Sequence, residues 1–140
     1  MEFMKYFKPA TKAVLDNIRY ETLKMDIQGL TKMKMNCRDT VLAQLLPGGV
    51  KINFNREVKF EPEGPFDLSV TFTTILPFNT EVSDEIDWKT VDIAGEFRRS
   101  RHPMLSVMMS RASLLIGEIT SASGNNPLIT PPGPQNGDAQ

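Results

Sequence analysis

The sequence predicts an α+β domain in which antiparallel strands come first and one long helix follows near the C-terminus. Two observations support this fold class. Apolar and polar residues alternate over residues 50 to 60 and again over 66 to 78, which is the period of a half-buried antiparallel sheet. From residue 103 to 123 the apolar residues instead recur every three or four positions, as in an amphipathic helix.

The two alternating segments each predict a strand with one apolar face. The residues between them, 62 to 65, have the sequence Pro-Glu-Gly-Pro, which predicts a hairpin turn. Arg56 falls on the apolar face, and we interpret it as the mark of a bulge or a strand end. The apolar faces consist of Val50, Ile52, Phe54, Val58 and Phe60 in the first strand, and Phe66, Leu68, Val70, Phe72, Leu76 and Phe78 in the second.

Signals elsewhere in the chain are weaker. A short helix is predicted over residues 9 to 17, a strand within 18 to 28, and a short strand at Met33, Met35 and Cys37. An apolar segment, 41 to 46, ends at a Pro-Gly-Gly breaker. Residues 79 to 101 hold an acidic run and a basic run, which predict a long connection with one short element and solvated charges.

The long helix has recognisable ends and a second stripe. Pro103 suits a first helical turn, and Gly124 suits the position just past the last one. Small residues spaced by four, three and four positions also share one face, and such a face lets another backbone approach closely. We predict that it contacts the same helix of a second copy, and exposure to solvent is the alternative. The stripe consists of Ser106, Ser110, Ser113 and Gly117.

Composition excludes several classes of protein. The 140 residues are enough for one domain. With 16 Lys and Arg against 17 Asp and Glu, the net charge is -1, which argues against binding to nucleic acid or a membrane surface by long-range attraction. No segment reaches the roughly 18 apolar residues of a membrane helix. The N-terminus lacks the pattern of a signal peptide, and with a single cysteine we expect a cytoplasmic protein.

Motifs for catalysis and cofactor binding are absent from the sequence. There is no phosphate-binding glycine loop, metalloprotease motif or nucleophile elbow. Cys37 and His102 are the sole thiol and imidazole, too few for a zinc site. We therefore predict no enzyme activity, cofactor or metal. Eight methionines are present, and such flexible side chains line adaptable binding surfaces or fill irregular cores.

The segment from His102 to Pro132, HPMLSVMMSRASLLIGEITSASGNNPLITPP, resembles the C-terminal half of the SecB family of protein-export chaperones. In that family a helix opens near a proline and ends in a glycine, and an apolar segment and a proline follow. The matching positions are Pro103, Gly124, residues 127 to 129, and Pro131 with Pro132. The resemblance covers residues 14 to 132 in order, and the last thirty are closest in sequence.

The resemblance implies a four-stranded antiparallel sheet packed against the long helix, in a single domain over residues 1–132. A flexible Pro/Gly-rich tail is expected over 133–140. The implied assembly is a homotetramer, a dimer of dimers with long helices packed between the dimers. The implied activity is ATP-independent holding of unfolded polypeptides (a holdase), for protein export or for one dedicated client such as an antitoxin.

Two departures from the family bear on the partner. Members that serve general export continue into a further helix and a tail that contacts the secretion motor ATPase. This chain ends at Gln140, which puts delivery to that motor in doubt and fits the shorter, divergent SecB-like proteins. The connection before the second strand of the family's fold is often aromatic. Here it is aliphatic, so client preferences are expected to differ; its residues are Val41, Leu42, Leu45 and Leu46.

The predicted client-binding surface consists of six apolar residues, and ordinary core packing is the alternative for each. Two other classes of function stay open. A non-chaperone oligomeric adaptor or phage-type structural protein would bind one folded partner through a bounded patch. A small-molecule or enzymatic domain would bring polar groups together in a cavity, and the sequence shows no such set. The client-binding candidates are Met33, Met35, Leu42, Leu45, Leu46 and Trp88.

Overall fold

A computed structural model describes residues 1–10, 12–23, 34–61 and 64–135. Within these ranges the chain forms four strands and then three helices, with single 3-10 turns at Phe3–Tyr6 and Trp88–Thr90. The strands are β1 (Ala13–Thr22), β2 (Lys34–Leu46), β3 (Gly49–Glu61) and β4 (Phe66–Pro77). The helices are α1 (Thr80–Ser83), α2 (Ile93–Arg99) and α3 (Pro103–Ala122).

The strands form one antiparallel sheet in the order β1-β4-β3-β2. Helix α3 packs across the inner face of this sheet, where Met108, Ala112 and Ile116 are fully buried. The predicted fold class is therefore confirmed. The order leaves β1 and β2 at opposite edges, each with one side that no described strand covers. No helix in the described ranges has the length and apolar character needed to cross a membrane.

The buried face of the sheet follows the predicted alternation. Phe54 pairs with Val41 on one side and with Phe72 on the other, so inward-facing side chains lie side by side across three strands. At one end of the sheet an aromatic cluster joins the N-terminal turn to the connection after β4. This cluster consists of Phe3, Tyr6, Phe7, Phe78 and Trp88.

The first half of the chain differs from its prediction in three places. Ala13 already belongs to β1, so the short helix expected over residues 9 to 17 is wrong. A strand was expected within residues 18 to 28, and residues 24 to 28 of it lie outside the described residues. Strand β2 runs through both the short strand expected near Cys37 and the apolar segment after it. Pairing with β3 over thirteen positions stabilises this long strand despite its weak local signal.

Residues 79 to 101 contain more structure than the sequence predicts. Helix α1, the 3-10 turn at Trp88 and helix α2 each begin at an acidic or amide residue that caps it. Asn79 accepts from the Glu81 N–H, Asp87 from the Lys89 N–H, and Asp92 from the Gly95 N–H. Acidic residues in this connection therefore define helix starts as well as providing solvated charge.

Helix α3 begins and ends where the sequence predicts. Pro103 is its first residue, and the His102 side chain caps it, with Nδ1 accepting a hydrogen bond from the Met104 N–H at 3.1 Å. Gly124, with a φ of 88°, reverses the chain after the last turn. The chain then turns back along the helix, where the Leu128 N–H donates to the buried Thr120 hydroxyl at 2.8 Å.

Arg56 is not at a bulge or a strand end. It lies fully buried within the regular ladder of β3, opposite Asp39 and Val70. Its Nε and Nη2 donate to the two carboxylate oxygens of Asp39 at 2.7 and 2.8 Å, and Nη1 donates to the Ser113 hydroxyl at 2.8 Å. The polar residue on the apolar face is thus explained by a bidentate buried ion pair.

The C-terminal segment completes the surroundings of Arg56. The Arg56 guanidinium also donates to the carbonyl oxygens of Pro131 and Gly133. The Gln135 N–H donates to Asp39 Oδ2 at 2.8 Å. We call residues 131–135 the C-terminal strap. Gly133 and Gln135, in the segment expected to be a flexible tail, thus form hydrogen bonds to the sheet, and residues 136 to 140 lie outside the described residues.

Replacing Asp39 by Ala should lower the free energy of unfolding by about 3–5 kcal/mol, because the buried guanidinium loses its counter-charge. The double variant Asp39→Ala/Arg56→Met should lose less than the sum of the two single variants, since both charges leave together. Urea unfolding followed by circular dichroism measures all three. Strictly additive losses would contradict a direct interaction between the two side chains.

Candidate functional site

The free edge of β2 is the best-formed candidate for a binding site. The Asp39 N–H points away from β3, because it donates to the Gln135 carbonyl at 2.8 Å. Backbone groups of an antiparallel strand alternate in direction, so the N–H groups of Val41 and Ala43 point outward as well. In the described part of the chain, no strand pairs with them there. This edge can therefore accept an added strand.

An apolar cleft lies beside this edge, and we call it the β2-edge cleft. Its volume is about 260 Å³. The floor is made by Val41, Phe54, Leu105 and Met109, contributed by two strands and the first half of α3. Polar groups of Asp39, Arg98 and Gln135 lie around it, together with Pro134. An extended chain pairing with β2 could place an apolar side chain in this cleft.

The predicted client-binding residues do not meet at one point. Pairing with β3 puts Met35 and Leu45 on the inner face of β2, beside Phe60 and Val50, and puts Leu42 on the outer face. Met35 and Leu45 are ten positions apart, about 33 Å at the usual rise of a strand. Leu46 is half-buried on the outer face. Met33 lies outside the described residues.

Exposure separates these candidates further. Leu42 is 60% exposed and Leu45 is 37% exposed, so both are open to a partner. Trp88 is 8% exposed and belongs to the aromatic cluster, and its indole N–H donates to the Ser83 carbonyl at 3.0 Å. A buried, hydrogen-bonded indole has a structural role in this protomer. Met108 is likewise fully buried in the core.

The small-residue stripe of α3 is divided between two environments. Ser106 and Ser110 are exposed. The Ser113 hydroxyl donates to the Pro131 carbonyl at 2.9 Å, and a Cβ on Gly117 would lie 3.6 Å from the Leu128 carbonyl oxygen. The protein's own C-terminal segment therefore covers half of the stripe. Contact of the remainder with another copy stays a prediction.

The two apolar residues of the segment after α3 lie in different environments. Leu128 packs against the core, whereas Ile129 is 80% exposed. Leu114, on the outward side of α3, is 65% exposed. The Ile129 side chain reaches to 3.9 Å from the Cβ position of Gly117, so it lies against the helix. Leu114 and Ile129 are thus two exposed apolar side chains of the helix layer, and we call them the helix ridge.

The two reactive side chains are both held in inert states. Burial raises the pKa of the Cys37 thiol to about 11, so it carries little thiolate at neutral pH. Burial lowers the pKa of His102, whose Nδ1 accepts the helix-capping hydrogen bond. Among the residues that the structure describes, no three acidic, His or Cys side chains cluster to hold a metal ion.

The sheet and the single long helix define a class of protein, the SecB-like α+β fold. Comparison of the structure with solved structures supports this class. The SecB-like chaperone of Mycobacterium tuberculosis, solved in complex with a ChAD peptide from the HigA1 antitoxin, superposes with a TM-score of 0.61 at 8% sequence identity. The match covers 88% of this chain and 87% of the mycobacterial chain. The fold is therefore SecB-like.

Comparison at the level of sequence gives no match. No protein-family model matches the chain, and the search of curated proteins returns no relative. At 8% identity the structural likeness rests on the arrangement of strands and helix. Function must therefore be argued from the surfaces of this chain.

His102 should make stability depend on pH. Its pKa is lowered in the folded protein, so the unfolded chain binds a proton more readily, and stability present above about pH 6.5 is lost as the pH falls. The melting temperature of the wild type should therefore drop more between pH 7.5 and 5.5 than that of His102→Asn, which keeps a capping acceptor but does not titrate. An equal drop in melting temperature for the two proteins would contradict this contribution of His102.

Proposed function

We propose that this chain is an ATP-independent holdase that binds unfolded polypeptides in extended form along the free edge of β2. The observation that carries the proposal is the combination of an edge strand of 13 residues with an apolar cleft beside it. Strand addition supplies affinity through main-chain hydrogen bonds, which every sequence can make, and pockets for alternate side chains add preference.

The residues on both faces of β2 fit this mode of binding. A strand added beside β2 directs its side chains alternately to the inner and outer faces. Leu45 would contact those on the inner face and Leu42 those on the outer face. Met35 marks the far end of the same edge. Burial of these exposed side chains under a client would stabilise the complex through the hydrophobic effect.

The client class is supported by the fold neighbour. The mycobacterial SecB-like chaperone is solved with an antitoxin-derived peptide, so one dedicated client such as an antitoxin is the favoured partner here. The alternative is that the clients are export substrates, which the chain would deliver to the secretion motor ATPase. We place this activity in the cytoplasm, where either client would be held before folding.

Two separate surfaces support assembly into a homotetramer. Strand β1 has an open edge with exposed apolar residues, since Leu15 and Ile18 are 44% and 41% exposed. The helix ridge, formed by Leu114 and Ile129, is a second exposed apolar surface and belongs to the helix layer. Two different self-complementary patches on one protomer generate a dimer of dimers. The exposed serines of the small-residue stripe, Ser106 and Ser110, would lie in the helix-helix contact.

The direct test of the holdase function is aggregation of a chemically unfolded test protein, diluted without ATP in the presence of this chain. Suppression near equimolar ratios is expected. Leu42→Asp and Leu45→Asp should each weaken it, because a charge on β2 opposes burial of apolar client side chains. Ile75→Asp, at a 44% exposed position on central strand β4, is the matched control and should retain suppression.

Two results would contradict this proposal. A folded protein that fails to suppress aggregation at any ratio would favour the alternative, a non-chaperone oligomeric adaptor for one folded partner. Equal losses in the Leu45→Asp and Ile75→Asp variants would show that the β2 edge is not the client site. Circular dichroism of each variant establishes that the fold is retained.

The assembly is tested on the helix ridge. Leu114→Glu should lower the oligomer mass measured by light scattering, because it places a charge in a contact that would otherwise be apolar. The melting temperature of the protomer should change little, since Leu114 is 65% exposed. Lys89→Glu, an exposed change distant from α3, is the control. An unchanged mass for Leu114→Glu would contradict a helix-helix interface.

A further inference from the structure

The C-terminal strap presents its backbone to β2 and β3 in a regular pattern. Three carbonyl oxygens at alternate positions accept hydrogen bonds from the sheet. Pro131 and Gly133 accept from the Arg56 guanidinium, and Gln135 accepts from the Asp39 N–H at 2.8 Å. The strap bends at Pro132 and Gly133. It is therefore held through its main-chain carbonyl groups without forming a regular added strand.

The sheet contacts only the main chain of the strap in these hydrogen bonds. Arg56 donates to carbonyl oxygens, and Asp39 accepts from the Gln135 N–H at 2.8 Å. The Gln135 side chain instead donates to carbonyls within the strap itself. Since every polypeptide carries the same carbonyl and N–H groups, this site can bind segments other than the strap.

The composition of the strap limits how strongly it binds. Its sequence, Pro-Pro-Gly-Pro-Gln, contains three prolines, which have no N–H to donate. A client without prolines offers a donor at each of these positions and can add hydrogen bonds that the strap lacks. Pro134 and Gln135 also line the β2-edge cleft, so the strap lies where a client side chain would enter.

We propose that the C-terminal strap is a displaceable intramolecular occupant of the polypeptide-binding edge, and that Arg56 with Asp39 forms the main-chain-recognising site beneath it. An extended, non-native client displaces the strap and takes over its carbonyl contacts with the sheet. The strap occupies the edge at Asp39 when no client is present. This inference rests on the proposed holdase function.

Displacement predicts a specific effect on affinity. The apparent dissociation constant equals the intrinsic constant divided by the fraction of molecules with an open site, so a strap seated about nine-tenths of the time weakens binding about tenfold. Gln135→Pro removes the N–H that Asp39 accepts and should therefore tighten client binding. Gln135→Ala keeps that N–H and is the matched control, with affinity equal to that of the wild type.

The probe is permanently unfolded, reduced and carboxymethylated lactalbumin with a fluorescent label, and anisotropy gives its affinity for the three full-length chains. Tighter binding by Gln135→Pro alone supports the proposal. Equal affinity in all three chains overturns it and leaves the holdase function standing, as does weaker binding by Gln135→Pro, which would make the strap part of the client surface. No binding by any chain overturns both proposals.

Hydrogen exchange on the wild-type chain gives an independent readout that needs no variant. The Gln135 amide is protected by its bond to Asp39, and saturating lactalbumin should speed its exchange, because displacement of the strap breaks that bond. Unchanged protection at Gln135, with the client bound, would overturn the proposal. The Leu128 amide, bonded to Thr120, is the internal control and should keep its rate.

Discussion

A buried guanidinium requires a counter-charge and a partner for each N–H, and this requirement at Arg56 organises much of the protein. Asp39 supplies the charge from β2 and Ser113 supplies a hydroxyl from α3. The Thr130 hydroxyl and the carbonyls of Pro131 and Gly133 supply the remaining acceptors. One side chain on β3 thereby joins an edge strand, the long helix and the end of the described chain. Replacing any of these partners leaves a buried polar group without its hydrogen bond. The resulting loss of folding free energy exceeds the contribution of a typical surface contact.

The same arrangement connects stability with the proposed activity. Asp39 pairs with Arg56 through its side chain, while its N–H faces outward along the free edge of β2. The strap therefore occupies the edge at Asp39, while the outward backbone groups of Val41 and Ala43 stay open. A holdase needs a surface that binds many sequences, and main-chain contacts of this kind do not depend on the side chains of the bound segment.

The sequence predicts the parts of this structure that depend on regular local patterns. β3, β4 and α3 show clear periods of two and of 3.6 residues, and the ends of α3 follow from Pro103 and Gly124. Strand β2 has only a weak pattern in the sequence, because its polar residues acquire partners only in the sheet, as Asp39 does with Arg56 seventeen positions later. The composition of the strap is typical of loops and predicts a flexible tail, whereas its binding uses carbonyl groups that every residue carries. Leu42 and Leu45 are exposed, and the alternation of the strand places them on opposite faces.

The central claim is that non-native polypeptide adds to the free edge of β2, and a backbone chemical-shift titration tests it most directly. With unfolded lactalbumin added to the labelled protein, the account predicts that the largest changes fall on the outward amides of Val41 and Ala43 and on Leu45. The backbone amides of Asn55 and Thr73, on central strands where their side chains form hydrogen bonds across the outer face, should change little. Changes concentrated on Asn55 and Thr73 in the central strands, or on β1, would contradict the account.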